Sequence, residues 1–167
     1  MEGVTATEDD ASPASVHSAL SGDLTWLVQR VGSGLVGAMD HVARVHGGSL
    51  RSVVVLRLLA ACPPATQLAL GSSAGLDKTT VTSALDALER AGWAVRRPSA
   101  HDRRVRLAEI TDAGREWLAA VEPELTRVED ELLADLPAAD REHLVRTLHR
   151  LAAGRFASAA PPAGSCV

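Results

Sequence analysis

The chain has 167 residues, 46% of them hydrophobic but only 2% aromatic, and carries 17 Lys+Arg against 21 Asp+Glu for a net charge of −4. That length buries a core without disulfides or metal, and a core of Leu, Val and Ala favours packed helices over a β-sandwich. The composition excludes a disulfide framework (only Cys62 and Cys166), a protein that coats nucleic acid with its whole surface, and any apolar run of the ~18–20 residues that span a bilayer.

In chain order, residues 1–20 are rich in Ala, Ser, Thr and acids, and the C-terminal ASAAPPAGSCV is similar. Both read as disordered tails, and the acidic start is wrong for a signal peptide, so a soluble cytoplasmic protein is expected. Asp23 to His46 carries Leu27, Val31, Leu35, Val42 and Val45 at helical spacing, and Gly47-Gly48 ends it. Leu50 to Ala61 reads as a short, largely buried helix closed by Pro63-Pro64. Ala65 to Ala74 has helical composition and stops at Gly75. Asp77 is an N-cap for the next helix, on which Val81, Leu85 and Leu88 share a face, and Gly92 takes the post-helix position. Two short helices joined this closely form a helix-turn-helix pattern. Trp93 to Arg97 is strand-like, Pro98 to Asp102 a turn, and Val105 to Ile110 the partner strand. Thr111 caps a long helix from Asp112 to about Leu136, interrupted by Pro123. Ala138 to about Phe156 forms a last helix with Leu144, Leu148 and Leu151 along one stripe.

Charge is unevenly spread. Arg90 to Arg106 holds six arginines and one acid, whereas Glu109 to Glu142 holds eleven acids and three arginines, which places one basic face on an acidic body. On the helix after Asp77, the face opposite Val81, Leu85 and Leu88 presents Thr79, Thr82, Ser83, Asp86 and Arg90, and Thr80 projects outward near its start. Small hydroxyl side chains at a helix N-terminus suit phosphates and base edges, and a threonine methyl suits that of thymine. In the hairpin, an arginine at the tip fits a narrow minor groove. Asp102 lies beside Arg103 and two residues before Arg104, and a carboxylate so close can hold a guanidinium before DNA arrives, while Arg96, Arg97 and Arg106 are placed for phosphates. Each segment alone is equally explained as solvated surface; their order favours DNA. A nucleophile–base pair, a Gly-rich phosphate loop and a recognisable carboxylate site are absent from the sequence, which argues against an enzyme.

GLDKTTVTSALDALERAGW, the R-R-P turn, DRR with an apolar strand, and ITDAG together resemble the MarR family of winged helix-turn-helix regulators, over roughly Leu50 to Leu118. The resemblance implies a mainly α fold with a small two-stranded β-wing. A dimerisation helix is expected over 21–48, the winged helix-turn-helix lobe over 49–111 and C-terminal dimerisation helices over 112–156, with tails at 1–20 and 157–167. It implies a homodimer that binds double-stranded DNA at a pseudo-palindromic operator, represses transcription and is released by a small-molecule effector, without a cofactor. The recognition helix is then expected to use Lys78, Thr79, Thr80, Thr82, Ser83 and Asp86. The wing is expected to use Arg96, Arg97, Asp102, Arg103, Arg104 and Arg106, with Arg104 at the tip and Asp102 orienting it. The competing reading is a ligand-binding or protein-interaction module of the same fold that does not bind DNA.

A single short recognition helix covers little DNA, so useful affinity favours two half-sites and a symmetric dimer. Leu27, Val31 and Leu35 with Leu144, Leu148 and Leu151 are candidates for the intersubunit core. By resemblance, effectors such as aromatic acids occupy a cleft between the dimer helices and the DNA-binding lobe, and Trp26, His41, Arg44 and Arg57 are candidates to line it. Cys62 is expected to be buried and inert. His41 and His46, five apart, do not share a helix face well, so no metal site is expected.

Overall fold

The computed structural model describes residues 20–62, 64–154 and 156, so the two expected tails lie outside the described residues, apart from Leu20. The chain divides into two compact units, 1–36 and 37–167. Helix α1 is Leu24–Val45, in which Met39, Val42 and Ala43 are buried. The later unit then builds α2 (Leu50–Ala61), β1 (Ala65–Thr66), α3 (Gln67–Ala74), α4 (Lys78–Arg90), β2 (Ala94–Pro98), β3 (Arg106–Ile110), α5 (Asp112–Leu132) and α6 (Ala138–Ala153).

Local chemistry explains where these elements start and stop. The Ser49 side chain accepts from the Ser52 amide at the head of α2, Thr66 from Ala69 at α3, and Thr111 from Gly114 at α5. Asp77 Oδ1 accepts from the Thr79 and Thr80 amides at 2.8 and 2.9 Å. Gly75 ends α3 at φ +65° and Gly92 follows α4 at φ +75°, left-handed positions that favour glycine. The core of the lobe is aliphatic: Val53, Val55 and Leu56 of α2 and Val81, Leu85 and Leu88 of α4 are all fully buried. At about 1.5–3 kcal/mol for each such side chain, this face holds α4 to the lobe and leaves its other face to solvent.

The sheet has three strands in the order β1-β3-β2, all antiparallel, where a two-stranded wing was expected. Ala65 and Thr66 pair with Ala108 and Leu107, so the segment expected to be wholly helical begins as a strand. Thr66 is extended there because it caps α3, and two residues are too few to display an alternating pattern. Helix α5 is not interrupted at Pro123; it runs through to Leu132, with Leu118, Val121 and Leu125 buried on either side of the proline. It ends short of Leu136, as α6 ends at Ala153 short of Phe156. Cys62, expected to be buried, is exposed: it is the C-cap of α2, already extended and past the buried face.

Two tryptophans fix the root of the wing. Trp93, just before β2, stacks on Trp117 of α5 with ring centroids 4.2 Å apart, and Trp117 Nε1 donates to the His46 carbonyl at 2.8 Å. Gly114 makes this packing possible, since a Cβ there would fall 2.0 Å from the Trp93 carbonyl oxygen.

Candidate nucleic-acid interface

Helix α4 owes its outward chemistry to its cap. The Thr80 hydroxyl donates to Asp77 Oδ2 at 2.6 Å, and that bond, with the amide bonds, holds the Asp77 carboxyl below its ordinary range. Lys78, Thr79, Ser83 and Asp86 are exposed on the helix, while Thr80 and Thr82 are half-buried. Thr82 donates to the Lys78 carbonyl at 2.7 Å, and Gln67 Nε2 donates both to that carbonyl at 3.1 Å and to the Thr82 hydroxyl.

On the wing, the expected residues divide into two groups. The Arg96 guanidinium donates to Glu89 and to Asp86 on α4, each at 2.5 Å from Nη2, with a further 2.9 Å bond from Nε to Glu89. The Arg96 amide also donates to Glu89, at 2.8 Å. The Arg96 side chain beside it holds the Glu89 carboxyl below the glutamate range, and the two carboxylates raise the Arg96 pKa in turn. Arg96 and Asp86 were expected to face DNA; the structure instead ties them together as a strap between β2 and α4.

The second departure is at the tip. Asp102 Oδ1 accepts from the Arg104 backbone amide at 2.9 Å, in a turn closed by the Val105 amide on the Asp102 carbonyl. The carboxylate therefore orders the turn rather than the guanidinium, because a side-chain oxygen two residues upstream of an amide closes a local Asx turn. The Arg97, Arg103 and Arg104 guanidinium groups have no ion-pair partner among the described residues, and all three side chains are exposed. Arg104 and Arg106 also share with Lys78 a groove of about 500 Å³ that includes Gln67, Leu68 and Leu76. A cationic groove thus runs from the wing to the head of α4.

Three comparisons bear on this arrangement. The sequence profile of the MarR family matches residues 49–105, which hold α2 to the wing tip. The transcriptional repressor CouR, solved on a 23-mer DNA duplex, is 30% identical with a TM-score of 0.74, covering 81% of this chain and 96% of that one. The chain belongs to the MarR family. As a MarR-family protein it is a DNA-binding transcriptional regulator, not an enzyme. CouR from Rhodococcus jostii RHA1 bound to p-coumaroyl-CoA is similar at 27% identity and a TM-score of 0.71, over 80% of this chain and 94% of that one. A putative transcriptional regulatory protein for the hcr operon of Thauera aromatica is 29% identical over 140 residues, covering 81% of this chain and 82% of that protein.

The remaining candidates in this MarR-family chain are placed as follows. Arg44 is exposed and paired with Asp40 at 2.6 Å, Arg57 is exposed and paired with Glu122 at 3.2 Å, and His41 is exposed. Local ion pairs thus account for both arginines, and Trp26 belongs to the 1–36 unit. Leu27 and Val31 are exposed and Leu35 half-buried; Leu144, Leu148 and Leu151 are exposed on α6, which has no buried residue. Among the described residues, no group of three or more His, Cys, Asp or Glu could hold a metal, and no helix is long and apolar enough to cross a membrane. Sequence reasoning missed Gln67 and Arg51. Arg51 lines a cleft of about 220 Å³ with Ser49, Thr79, Thr80 and Ser83 beside α4, and no local motif in the sequence marks either residue.

Proposed function

We propose that the protein is a homodimeric repressor that lays α4 in the major groove of each half of a pseudo-palindromic operator, with the wing arginines on the adjoining backbone and minor groove. The observation that carries this reading is the groove that Arg104 and Arg106 share with Lys78 at the head of α4, on a wing whose Arg97, Arg103 and Arg104 are exposed and without ion-pair partners among the described residues. The likeness to DNA-bound CouR supports it. Lys78, Thr79, Thr80, Thr82 and Ser83 are the proposed groove contacts, and Arg97, Arg103, Arg104 and Arg106 the proposed backbone and minor-groove contacts. Arg96 and Asp86 are assigned to holding the wing against the helix. A dimer is supported by α6, whose apolar Leu144, Leu148 and Leu151 are exposed among the described residues, and by the exposed Leu27 and Val31 of α1.

Fluorescence anisotropy with the DNA upstream of the gene itself, titrated at several salt concentrations, tests the reading. Binding should weaken steeply with salt as phosphate counterions are displaced. No binding to any duplex at low salt would leave a regulator fold that does not grip DNA. An effector that releases the operator completes the reading. The p-coumaroyl-CoA complex of CouR supports an aromatic acyl thioester as the first class to test, and p-coumaroyl-CoA itself should lower operator affinity.

A further inference from the structure

We propose that Gln67, on the first helix of the motif, fixes the base preference of Thr82 on the second by leaving Thr82 without a hydrogen to donate. The inference rests on the DNA reading above. A threonine hydroxyl has one proton and two lone pairs. The Lys78 carbonyl accepts only, so at 2.7 Å it takes the Thr82 proton. The same carbonyl receives the Gln67 amide at 3.1 Å, which fixes the nitrogen of that amide on this side. Gln67 Nε2 therefore also donates to the Thr82 oxygen and occupies one of its lone pairs.

Thr82 is left with a methyl group and a single lone pair to offer DNA. Guanine N7 and O6 and adenine N7 need a donor, and Thr82 has none unless it breaks these bonds. The methyl group suits the thymine methyl. Thr80 is similarly spent, with its proton on Asp77. Thr79 and Ser83 keep their hydroxyl protons, since neither side chain is bonded within the described residues. The outward face of α4 is thus divided between hydroxyls that can donate and a threonine that offers only a methyl group and an acceptor lone pair. Gln67 is a positioning residue in this scheme: half-buried, anchored at the capped start of α3, and acting on DNA through Thr82.

Selection from a randomised double-stranded DNA library tests the proposal with the full chain and three variants, Thr82→Val, Thr82→Ser and Gln67→Met. The wild type should select thymine at one position per half-site. Thr82→Val keeps the methyl and should keep that preference, whereas Thr82→Ser should lose it. Gln67→Met should relax discrimination at that position by roughly tenfold. The proposal is overturned if Gln67→Met selects the wild-type sequence with undiminished discrimination, or if Thr82→Ser keeps the preference and Thr82→Val loses it. Should Gln67→Met fail to fold, Gln67→Ala takes its place in the selection, and undiminished discrimination there overturns the proposal. A wild type that selects no sequence and binds no duplex defeats the DNA reading itself, a result distinct from a wild type with a clear motif that the variants share.

Discussion

Glu89 on α4 receives Arg96 from β2 three times, through the backbone amide and two guanidinium nitrogens at 2.5–2.9 Å. The wing is therefore fastened to the recognition helix by charge, and the two should move as one body. Losing this contact in Glu89→Gln should cost about 1 kcal/mol, read as a lowered midpoint in urea. The pH dependence has a definite sign. A carboxyl depressed on folding stabilises the chain above its unfolded pKa, and the contribution disappears as the pH falls through the folded value. Stability should decline on acidification below the ordinary glutamate range, and less steeply in Glu89→Gln. An identical decline in both proteins would show that the strap contributes nothing.

Removing a wing arginine should act on DNA and not on the fold. Arg104→Ala should weaken operator binding by at least ~1 kcal/mol, leaving the oligomeric state and thermal midpoint unchanged. Arg96→Ala, by contrast, should lower stability without reducing the salt dependence of binding, because its charge is neutralised within the protein. Anisotropy titrations against salt separate the two roles.

The root of the wing has no room for a larger residue. A Cβ at position 114 would meet the Trp93 carbonyl at 2.0 Å, with Ile110 at 3.0 Å, so Gly114→Ala must displace the backbone or part the Trp93–Trp117 stack. A loss of about 3 kcal/mol is expected, measured by denaturant unfolding with tryptophan emission as the probe. A change within experimental error would mean that Trp93 can move away freely.

If the exposed leucines of α6 form the intersubunit core, a charge there should separate the subunits. Leu148→Glu is predicted to give a monomer by sedimentation velocity and to reduce operator affinity, since each half-site is then bound alone. The helical content of the lobe should be retained, because no residue of α6 is buried within the chain.

The helix-turn-helix was legible in the sequence because its signals are local. Asp77, Gly75, Gly92 and Thr111 punctuate the chain within a turn of the elements they bound, and Val81, Leu85 and Leu88 mark the buried face of α4. What escaped notice depends on pairs distant in sequence or alike in spacing. Strand β1 is two residues long and is defined by a partner more than forty residues away. Arg96 looked like another phosphate ligand because its acidic partners lie across a helix-to-strand turn. The i, i+2 spacing of Asp102 and Arg104 suits a side-chain pair and an Asx turn equally well, and only the backbone conformation decides between them. Gln67 drew no attention because its importance lies in two bonds to a helix that begins eleven residues later.

Proline at position 123 has no amide hydrogen, so the Ala119 carbonyl of α5 lacks its usual partner one turn along. Three residues on, the Thr126 hydroxyl donates back to the Glu122 carbonyl at 3.0 Å, a bond that itself favours curvature. The stiffness of α5 is therefore uneven. Its first turns are gripped by the tryptophan stack, its last lead toward α6, and the span between them is its most compliant stretch. A load on the α6 end should therefore bend α5 at this point before it twists the root of the wing.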